Sequence, residues 1–508
     1  MDSLIFKSFL PEIFFSTATL MLIVLNTRTI NNLKYNFPVI DKEVFSQIVF
    51  VLILFFIFQN SLKIQGIFST FTLGNNYSIC FSKQVFVIFT ILALILINES
   101  YTLQKLSFIE FYFIFALSLL SFFLMISCSD LLMFYVLMEL QALSFYVLAS
   151  FNRNSIFSLE AGLKYFVFGA FASGVYLLGV SFLYGALGTI HLHDLFILFK
   201  FRFFSYNPTM DFIIDLSVLL ITCSLLFKVT AAPFYDWVMD VYEGAPLSST
   251  ILFSIVPKIP LFIFLSKWIS VILNRTIFFE SMPFLGFITI VVGTLGALGQ
   301  KKLKRLIIYS SIGQTGFIIF AVCIPYYAKI LPGSMFGFFF LLIYLIASIL
   351  LWSHFVLLHS FAYKTNTYYS ARYTSLYIST MIDFFKSQPL WAFSLIVIFF
   401  SMAGIPPLAG FNAKLAILQL AIESESYLFS ISLVLISSVS VYYYLKILKV
   451  LLFEPKLNSD NEDFRTVYSV NSLLTLIPIL VSILLFLHFY PRGFFMASYV
   501  LSQTGYSF

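Results

Sequence analysis

The chain has 508 residues and a formal net charge of +6, and its composition is 60% hydrophobic and only 10% charged. Its mean hydropathy is +0.98. Soluble globular chains carry about 25% charged residues, so the composition excludes a soluble protein and predicts an all-α polytopic membrane protein. The four cysteines show no CxxC spacing, so we predict neither a disulfide framework nor an iron–sulfur site.

Apolar runs of about 20 residues, the length that crosses a bilayer, predict fourteen transmembrane helices. In chain order they are 10–26, 44–60, 85–98, 108–127, 130–150, 161–187, 212–243, 247–271, 283–300, 305–324, 336–362, 390–421, 426–452 and 470–489. The spans 212–243 and 390–421 are about 32 residues long, which at about 1.5 Å per residue exceeds a hydrocarbon core of about 30 Å. They contain Pro233 in the first case and Pro406 and Pro407 in the second, so we predict two broken helices.

The two broken spans hold corresponding places in the order of helices. Each is fourth in a series, one series beginning at the fourth span and the other at the ninth. Two units of five spans must lie inverted relative to one another, and paired broken helices in such repeats are typical of transporter ion sites. The predicted segments are an N-terminal three-helix segment (1–107), a first repeat (108–271), a second repeat (283–452) and a C-terminal helix (453–508).

Lys228 lies in an apolar span just before Pro233. A lysine at mid-bilayer costs about 2.5–3.5 kcal/mol on insertion scales, so its presence there points to a function. Pro233 has no N–H to donate, which leaves the carbonyl of Val229 without its usual helical partner. Free carbonyls beside a lysine attract water. The pattern predicts a hydrated site at which Lys228 carries a proton.

Glu139 stands near the centre of the fifth span and is the expected partner of Lys228. Burial disfavours the charged form of a lysine, whereas a nearby carboxylate favours it. Movement of Glu139 toward or away from Lys228 would therefore make the lysine hold or release its proton. The alternative is a static ion pair that only fixes helix packing.

Two further lysines lie within apolar spans. Lys258 stands between Pro257 and Pro260 and is the expected central relay of the first half. Lys414 follows Pro407 by seven residues and is expected to be the second-half counterpart of Lys228. The alternative for both is a long side chain that extends to the membrane interface.

Gln314 on the tenth span and His354 and His359 on the eleventh lie between the two halves of the chain. Neutral histidine passes protons readily, so these residues predict a polar, hydrated axis that links Lys258 to Lys414. Taken singly, each histidine is equally typical of a hydrogen-bonded core position.

Two other groups have ordinary structural interpretations. His191 and His193, with Asp194, have a spacing that suggests metal binding. No third cluster of ligands is evident, so a loop end is favoured and no metal is predicted. The tyrosine run 442–444 is typical of an aromatic anchor at the membrane interface.

Four motifs stand out in the sequence, residues 160–192, 227–246 (FKVTAAPFYDWVMDVYEGAP), 304–317 (KRLIIYSSIGQTGF) and 401–414 (SMAGIPPLAGFNAK). Together they resemble one known family, the subunit 2 family of mitochondrial NADH:ubiquinone oxidoreductase, or respiratory complex I, whose members are antiporter-like. The similarity runs from about residue 10 to residue 453.

The resemblance implies a fourteen-helix antiporter-like fold and proton translocation across the mitochondrial inner membrane. Translocation would be coupled to NADH oxidation and ubiquinone reduction elsewhere in the complex. The chain would be an enzyme subunit that binds no cofactor itself, with NADH, FMN, iron–sulfur clusters and ubiquinone in other subunits. Its expected partners are other membrane-arm subunits and membrane lipids, and no nucleic acid.

Carried over residue by residue, the resemblance makes Glu139 and Lys228 the ion pair of the first half-channel. It makes Lys258 the central lysine and Lys414 the lysine of the second half-channel. The related subunit 4 looks to have a glutamate at the position of Lys414, so this residue favours subunit 2.

The chain departs from the family pattern in two places. The family reads PFHxWxPD where this chain has Tyr235 and Met239, and SSIxHxGY where it has Gln314. Each difference removes a histidine, although glutamine can still hold water in a hydrogen-bonded file.

Two other functions fit the same features. A subunit of a multisubunit cation/proton antiporter would exchange ions without NADH. A membrane scaffold would use its buried charges only to specify assembly.

Overall fold

The computed structural model describes residues 10–32, 38–61, 68–69, 74–104, 110–201, 208–272, 276–324, 332–364, 388–453 and 471–505. Within these ranges the chain is helical apart from short turns and one two-stranded antiparallel ribbon, β1 (Phe68–Ser69) with β2 (Gly74–Asn75). The helices are α1 (Leu10–Asn32), α2 (Pro38–Ser61), α3 (Tyr77–Gln104), α4 (Glu110–Ser127), α5 (Leu131–Ala149), α6 (Ile156–Leu187), α7 (Leu192–Phe201), α8 (Pro208–Val229), α9 (Asp236–Gly244), α10 (Leu247–Ile255), α11 (Lys258–Ile272), α12 (Thr276–Leu298), α13 (Leu303–Cys323), α14 (Gly333–Lys364), α15 (Pro389–Ala403), α16 (Ala409–Glu423), α17 (Tyr427–Phe453), α18 (Asn471–Phe489) and α19 (Arg492–Gln503).

Eleven stretches in the described residues are helical, long and apolar enough to cross a membrane, and three shorter apolar helices lie at Leu10–Leu25, Val44–Gln59 and Pro389–Ala403. Together they fall on the fourteen predicted spans, so the prediction of an all-α polytopic membrane protein is confirmed. The division into inverted repeats stays a prediction. Its boundary between residues 107 and 108 lies outside the described residues.

Local sequence explains where individual helices begin and end. Asp130 precedes α5 and its carboxylate accepts a hydrogen bond from the Leu132 N–H (3.3 Å). Ser155 precedes α6 and accepts from the Ser158 N–H (3.2 Å). Side-chain oxygens at this position satisfy the N–H groups that a helix start leaves unpaired. Gly188, in the left-handed conformation, ends α6.

The described helices fall into two compact units. The first comprises Met1–Val229, Gly244–Phe278 and Val500–Phe508, and the second comprises Thr230–Glu243 and Phe279–Tyr499. In the first unit α6 packs along α8 and against α5, while α10 packs on α3 and α11 on α4.

In the second unit, α14 is the central helix. It packs against α13, α15, α16 and α18, and its most apolar stretch is wholly buried. By contrast α17 packs on α15 and α16 and leaves most of its apolar surface exposed. Lipid tails are as apolar as a helix core, so exposed apolar side chains are expected on a membrane helix.

Both long spans are interrupted. In the first, α8 ends at Val229, Thr230 has a left-handed φ of 67°, and α9 begins at Asp236. In the second, α15 ends at Ala403 and α16 begins at Ala409. The two interruptions contain the prolines of the sequence motifs, which cannot donate the backbone hydrogen bonds that a continuous helix needs.

A third, shorter interruption was not predicted. The span 247–271 is divided into α10 and α11 at residues 256 and 257, directly before Lys258. Pro257 and Pro260 both lack an N–H, which weakens the helix at this point. Lys258 therefore stands at the start of a helix rather than inside a continuous one.

Candidate proton-transfer site

Lys414 binds the end of a broken helix in the second unit. Its Nζ donates to the carbonyl oxygen of Ala403 (2.7 Å) and to Ser440 Oγ (3.2 Å). Ala403 is the last residue of α15, and the last carbonyls of a helix have no partner within it. A cation at this end also interacts favourably with the helix dipole, by about 0.3–1 kcal/mol. The break thus creates a polar site for a lysine that is only 7% exposed.

Gln314 reaches the same helix end. Its Nε2 donates to the Met402 carbonyl at 3.4 Å. Gln314, Tyr344, Ser401 and Lys414 line a cavity of about 20 Å³ together with apolar side chains. A polar cavity of about 10–15 Å³ suffices for one water molecule. Lys414 therefore faces a space in which water can exchange protons with its ammonium group.

Gly404 permits this approach of Lys414. Its φ is 84°, and a Cβ atom there would lie 2.7 Å from Lys414 Cδ. We expect Gly404→Ala to lower the free energy of unfolding by about 1–3 kcal/mol, because the left-handed conformation is unfavourable for alanine. Thermal unfolding of the purified assembly measures the change. Gly185→Ala on α6 is the matched control, since its Cβ would meet open space. Equal midpoints for the two variants would contradict the prediction.

The structure brings Glu139 and Lys228 into electrostatic range in the first unit. Lys228, on the last turn of α8, is 8% exposed. Between these two described residues there is no direct hydrogen bond, and neither Lys228 Nζ nor Glu139 Oε1 has another partner. Buried polar groups without protein partners are usually satisfied by water. The pair is thus arranged for interaction through space or through water.

Lys258 lies far from both ends of its span. It stands eleven positions after Leu247 and fourteen before Ile272, the two ends of the span. Residues on both sides of it are buried, and its own side chain is partly accessible. A side chain that extends to an interface accounts poorly for a lysine at this depth.

The two histidines of the predicted axis have different surroundings in the second unit. His354 Nδ1 donates to the Leu350 carbonyl (2.8 Å), and its Nε2 lies 2.7 Å from Ser394 Oγ. Both ring nitrogens are therefore engaged, as in a hydrogen-bonded core histidine. His359 lies within electrostatic range of Lys304. The predicted link through these histidines stays a prediction.

Three further buried lysines were not predicted. From the sequence, only Lys228, Lys258 and Lys414 were expected inside the membrane. Lys83 is fully buried and paired with Glu12. Lys267 Nζ donates to the carbonyls of Ile126 and Cys128, both at 2.9 Å. Lys267 stands inside the apolar run of α11, a signal that the sequence already contained. The pairing of Lys83 with Glu12 had no local signal, because 71 residues separate them.

Lys304 is the third of these lysines, and it belongs to a charged cluster at the end of α9. Glu243 accepts hydrogen bonds from Lys302 (2.5 Å) and from Arg305 through its carboxylate, and from Lys304 (3.2 Å) through its carbonyl. Lys304 is only 3% exposed, whereas Lys302 and Arg305 are partly exposed. The cluster therefore joins one buried cation to two partly exposed ones.

The described part of the chain contains no group of three or more His, Cys, Asp or Glu side chains that could hold a metal ion. His193 Nδ1 lies 3.6 Å from Asp194 Oδ1, and both side chains are exposed.

At the first break, the ring of Tyr235 lies 6.4 Å from that of Tyr309.

Known proteins are similar to this chain in sequence and in fold. The sequence profile of the NADH:quinone oxidoreductase/Mrp antiporter transmembrane family matches residues 128–440. NADH-quinone oxidoreductase subunit N of Wolbachia sp. subsp. Brugia malayi is 34% identical over 330 residues, which cover 64% of this chain and 66% of the relative. NADH-ubiquinone oxidoreductase chain 2 of Rhizopus oryzae is 35% identical over 300 residues, which cover 58% of this chain and 55% of the relative.

Solved structures show the same fold at lower sequence identity. A chain of respiratory complex I from Thermus thermophilus with bound aureothin is 24% identical, with a TM-score of 0.72 over 96% of this chain and 99% of that chain. A chain of the Mrp complex from Dietzia sp. is 16% identical, with a TM-score of 0.75 over 100% of this chain and 99% of that one. The profile match covers more than half of the sequence, so the chain belongs to the NADH:quinone oxidoreductase/Mrp antiporter family.

Proposed function

We propose that this chain is a membrane-arm subunit of NADH:quinone oxidoreductase, respiratory complex I, and that it translocates protons by charge changes passed along Glu139, Lys228, Lys258 and Lys414. The observation that carries the proposal is the position of Lys414. Its ammonium group lies on the open end of a broken helix and beside a cavity with room for water. A lysine in that place can give its proton to water and take one back.

The surroundings of the lysines favour proton transfer over a static role. A purely structural ion pair is expected to make direct hydrogen bonds, because a buried charge is costly otherwise. Lys228 Nζ has no hydrogen-bond partner among the described residues, and it interacts with Glu139 only through space. Charge movement at one group would therefore change the protonation of the other.

The family resemblance and the names of the relatives support further proposals for this chain. Redox chemistry would take place in other subunits, which would hold NADH, FMN, the iron–sulfur clusters and ubiquinone. The partners would be other membrane-arm subunits and membrane lipids. The location would be the mitochondrial inner membrane.

A subunit of a multisubunit cation/proton antiporter is the second candidate. The structural similarity to the Mrp complex chain supports it, with a TM-score of 0.75. The relatives named NADH-quinone oxidoreductase subunit N and NADH-ubiquinone oxidoreductase chain 2 favour the first candidate. Mass spectrometry of the native assembly separates the two, since only the first predicts co-purification with NADH-oxidising subunits.

Lys258→Met tests the proposed function in the assembled complex. We expect NADH-driven proton translocation to fall about tenfold or more, because a positioned proton-transfer group contributes on the order of 10²–10⁴-fold. Translocation is measured by acidification in vesicles, beside the rate of NADH oxidation. Lys200→Met, near the end of α7, is the control. A Lys258→Met complex that assembles and translocates protons at the normal rate would support the scaffold alternative.

A further inference from the structure

Lys267 is a buried cation of the first unit that the proposed proton route does not use. It lies on α11, nine positions after Lys258, and its side chain is only 1% exposed. A lysine inside an apolar helix is costly unless its charge and its N–H groups are satisfied. The groups that satisfy Lys267 therefore indicate its role.

The ammonium group of Lys267 is bound by the end of α4. Its Nζ donates to the carbonyl oxygens of Ile126 and Cys128, both at 2.9 Å. Because α4 ends at Ser127, these carbonyls lie at a helix C-terminus, where the last carbonyls have no partner within the helix. The negative end of the helix dipole also favours a cation there. The helix end thus stabilises the charge of Lys267.

The contacts of Lys267 differ from those of Lys414. Lys414 donates to one helix carbonyl and to a hydroxyl, and it lines a cavity with room for water. Lys267 donates to two carbonyls of one short segment. Carbonyl oxygens accept hydrogen bonds but have no proton to pass on. These contacts favour a fixed cation over a proton carrier.

The segment that Lys267 binds is itself held on several sides. The Leu131 carbonyl accepts a hydrogen bond from Tyr176 Oη of α6 (3.1 Å), and the Leu131 N–H donates to the Ile190 carbonyl (3.2 Å). One turn before the end of α4, the ring of Phe123 packs on aromatic rings of α1, α2 and α3, those of Phe15, Phe55 and Phe86. The segment is therefore a fixed point of attachment for Lys267.

α11 needs such an attachment because it follows a break. It begins at Lys258, directly after the two residues that interrupt its span. Pro257 and Pro260 cannot donate backbone hydrogen bonds, so the preceding helix holds the start of α11 only weakly. Lys267 lies about two and a half turns further along the same helix. The anchor at Lys267 and the relay at Lys258 thus belong to one short helix.

The helices that α11 touches carry other residues of the proposed proton route. Phe264 of α11 stacks on Phe134 of α5, the helix of Glu139. α11 also packs on α8, the helix of Lys228. A shift of α11 would move Lys258 relative to both groups. An error of about 1 Å in the placement of reacting groups can cost about 10²-fold in rate.

We propose that Lys267 is a positioning residue for proton translocation: as a fixed cation on the end of α4, it holds α11 in the position that places Lys258 for proton transfer. The inference rests on the proposed function, in which Lys258 is the central relay. It requires no change in the protonation of Lys267.

Lys267→Arg in the assembled complex is the first test. Arginine keeps the charge and offers several N–H donors, but it does not release its proton in proteins. We expect Lys267→Arg to keep most of the NADH-driven proton translocation, measured by acidification in vesicles per assembled complex. A Lys267→Arg complex that assembles and does not translocate protons would overturn the inference, because it would identify Lys267 as a proton carrier.

Lys267→Gln is the second test, since it removes the charge and keeps an N–H donor. We expect translocation per assembled complex to fall about tenfold, within the loss that misplacement of a reacting group can cause. Lys200→Met, at an exposed position of the neighbouring α7, is the control. A normal rate per assembled complex would show that Lys267 serves stability alone and would overturn the inference. If Lys267→Gln does not assemble, the result for Lys267→Arg still decides between a fixed cation and a carrier.

Lys258→Met separates failure of this inference from failure of the proposed function. If Lys258→Met loses translocation while Lys267→Gln does not, only the role of Lys267 is excluded. If both lose it, the double variant should be no slower than Lys258→Met, because Lys267 acts through Lys258. A further loss in the double variant would overturn the inference. Normal translocation in Lys258→Met would contradict the proposed function itself.

Discussion

NADH-driven proton translocation is expected to fall about tenfold or more in a Lys414→Met complex, since a positioned proton-transfer group contributes on the order of 10²–10⁴-fold. Methionine keeps an unbranched side chain of similar length but cannot carry a proton. It also leaves the Ala403 carbonyl without the hydrogen bond of 2.7 Å that Lys414 donates. The measurement is the rate of acidification in vesicles relative to the rate of NADH oxidation.

Lys414→Arg distinguishes a proton carrier from a fixed cation at the same place. Arginine keeps the charge at the end of α15, where the helix dipole favours it. Arginine does not lose its proton in proteins, so it cannot serve as a carrier. We expect Lys414→Arg to assemble and to lose translocation. Lys446→Met, at an exposed position of α17, is the control for loss of a lysine. Full translocation in Lys414→Arg would show that the charge alone is needed.

The second large effect is expected for Glu139→Gln. Glutamine has nearly the same shape as glutamate, but it has no negative charge that could interact with Lys228. We expect translocation to fall about tenfold or more, as for the lysine variants, while the amount of assembled complex stays near normal. Glu139→Asp keeps the charge and should retain most of the activity. Glu160→Gln, at an exposed position of α6, is the control.

A double variant separates charge movement from a static ion pair. Replacement of both partners of a buried pair by neutral residues is often harmless to stability, because no unpaired charge remains. If the pair only fixes packing, Glu139→Gln/Lys228→Met should assemble and translocate normally. If the pair moves charge, the double variant should assemble and remain inactive.

Much of the architecture follows from the sequence because membrane insertion depends on local composition. A run of about 20 apolar residues spans the bilayer whatever surrounds it, and proline interrupts a helix through its own missing N–H. The fourteen spans could therefore be predicted. The break before Lys258 was missed, although Pro257 and Pro260 signal it, because the span 247–271 is short enough to cross as one helix.

The sequence could not give helix rotation, and rotation decides which side chains meet. Hydropathy is the same for α13 and α17, yet α13 is mostly buried and α17 is mostly exposed, because lipid and protein interior are equally apolar. In the tyrosine run 442–444, too, the sequence alone does not show which side chains are buried. Its first member is 61% exposed, as expected for an interfacial anchor, and its last is fully buried.

The sequence by itself therefore determined a polytopic helical protein with three lysines inside apolar spans and prolines near each of them. The tertiary structure decided what those lysines touch. Lys414 donates a hydrogen bond to the Ala403 carbonyl because α15 ends at that residue and α16 packs against α17. Gln314 meets the same helix end from α13, 88 residues away in the chain. Such contacts depend on the packing of distant helices, and no local pattern of residues encodes them.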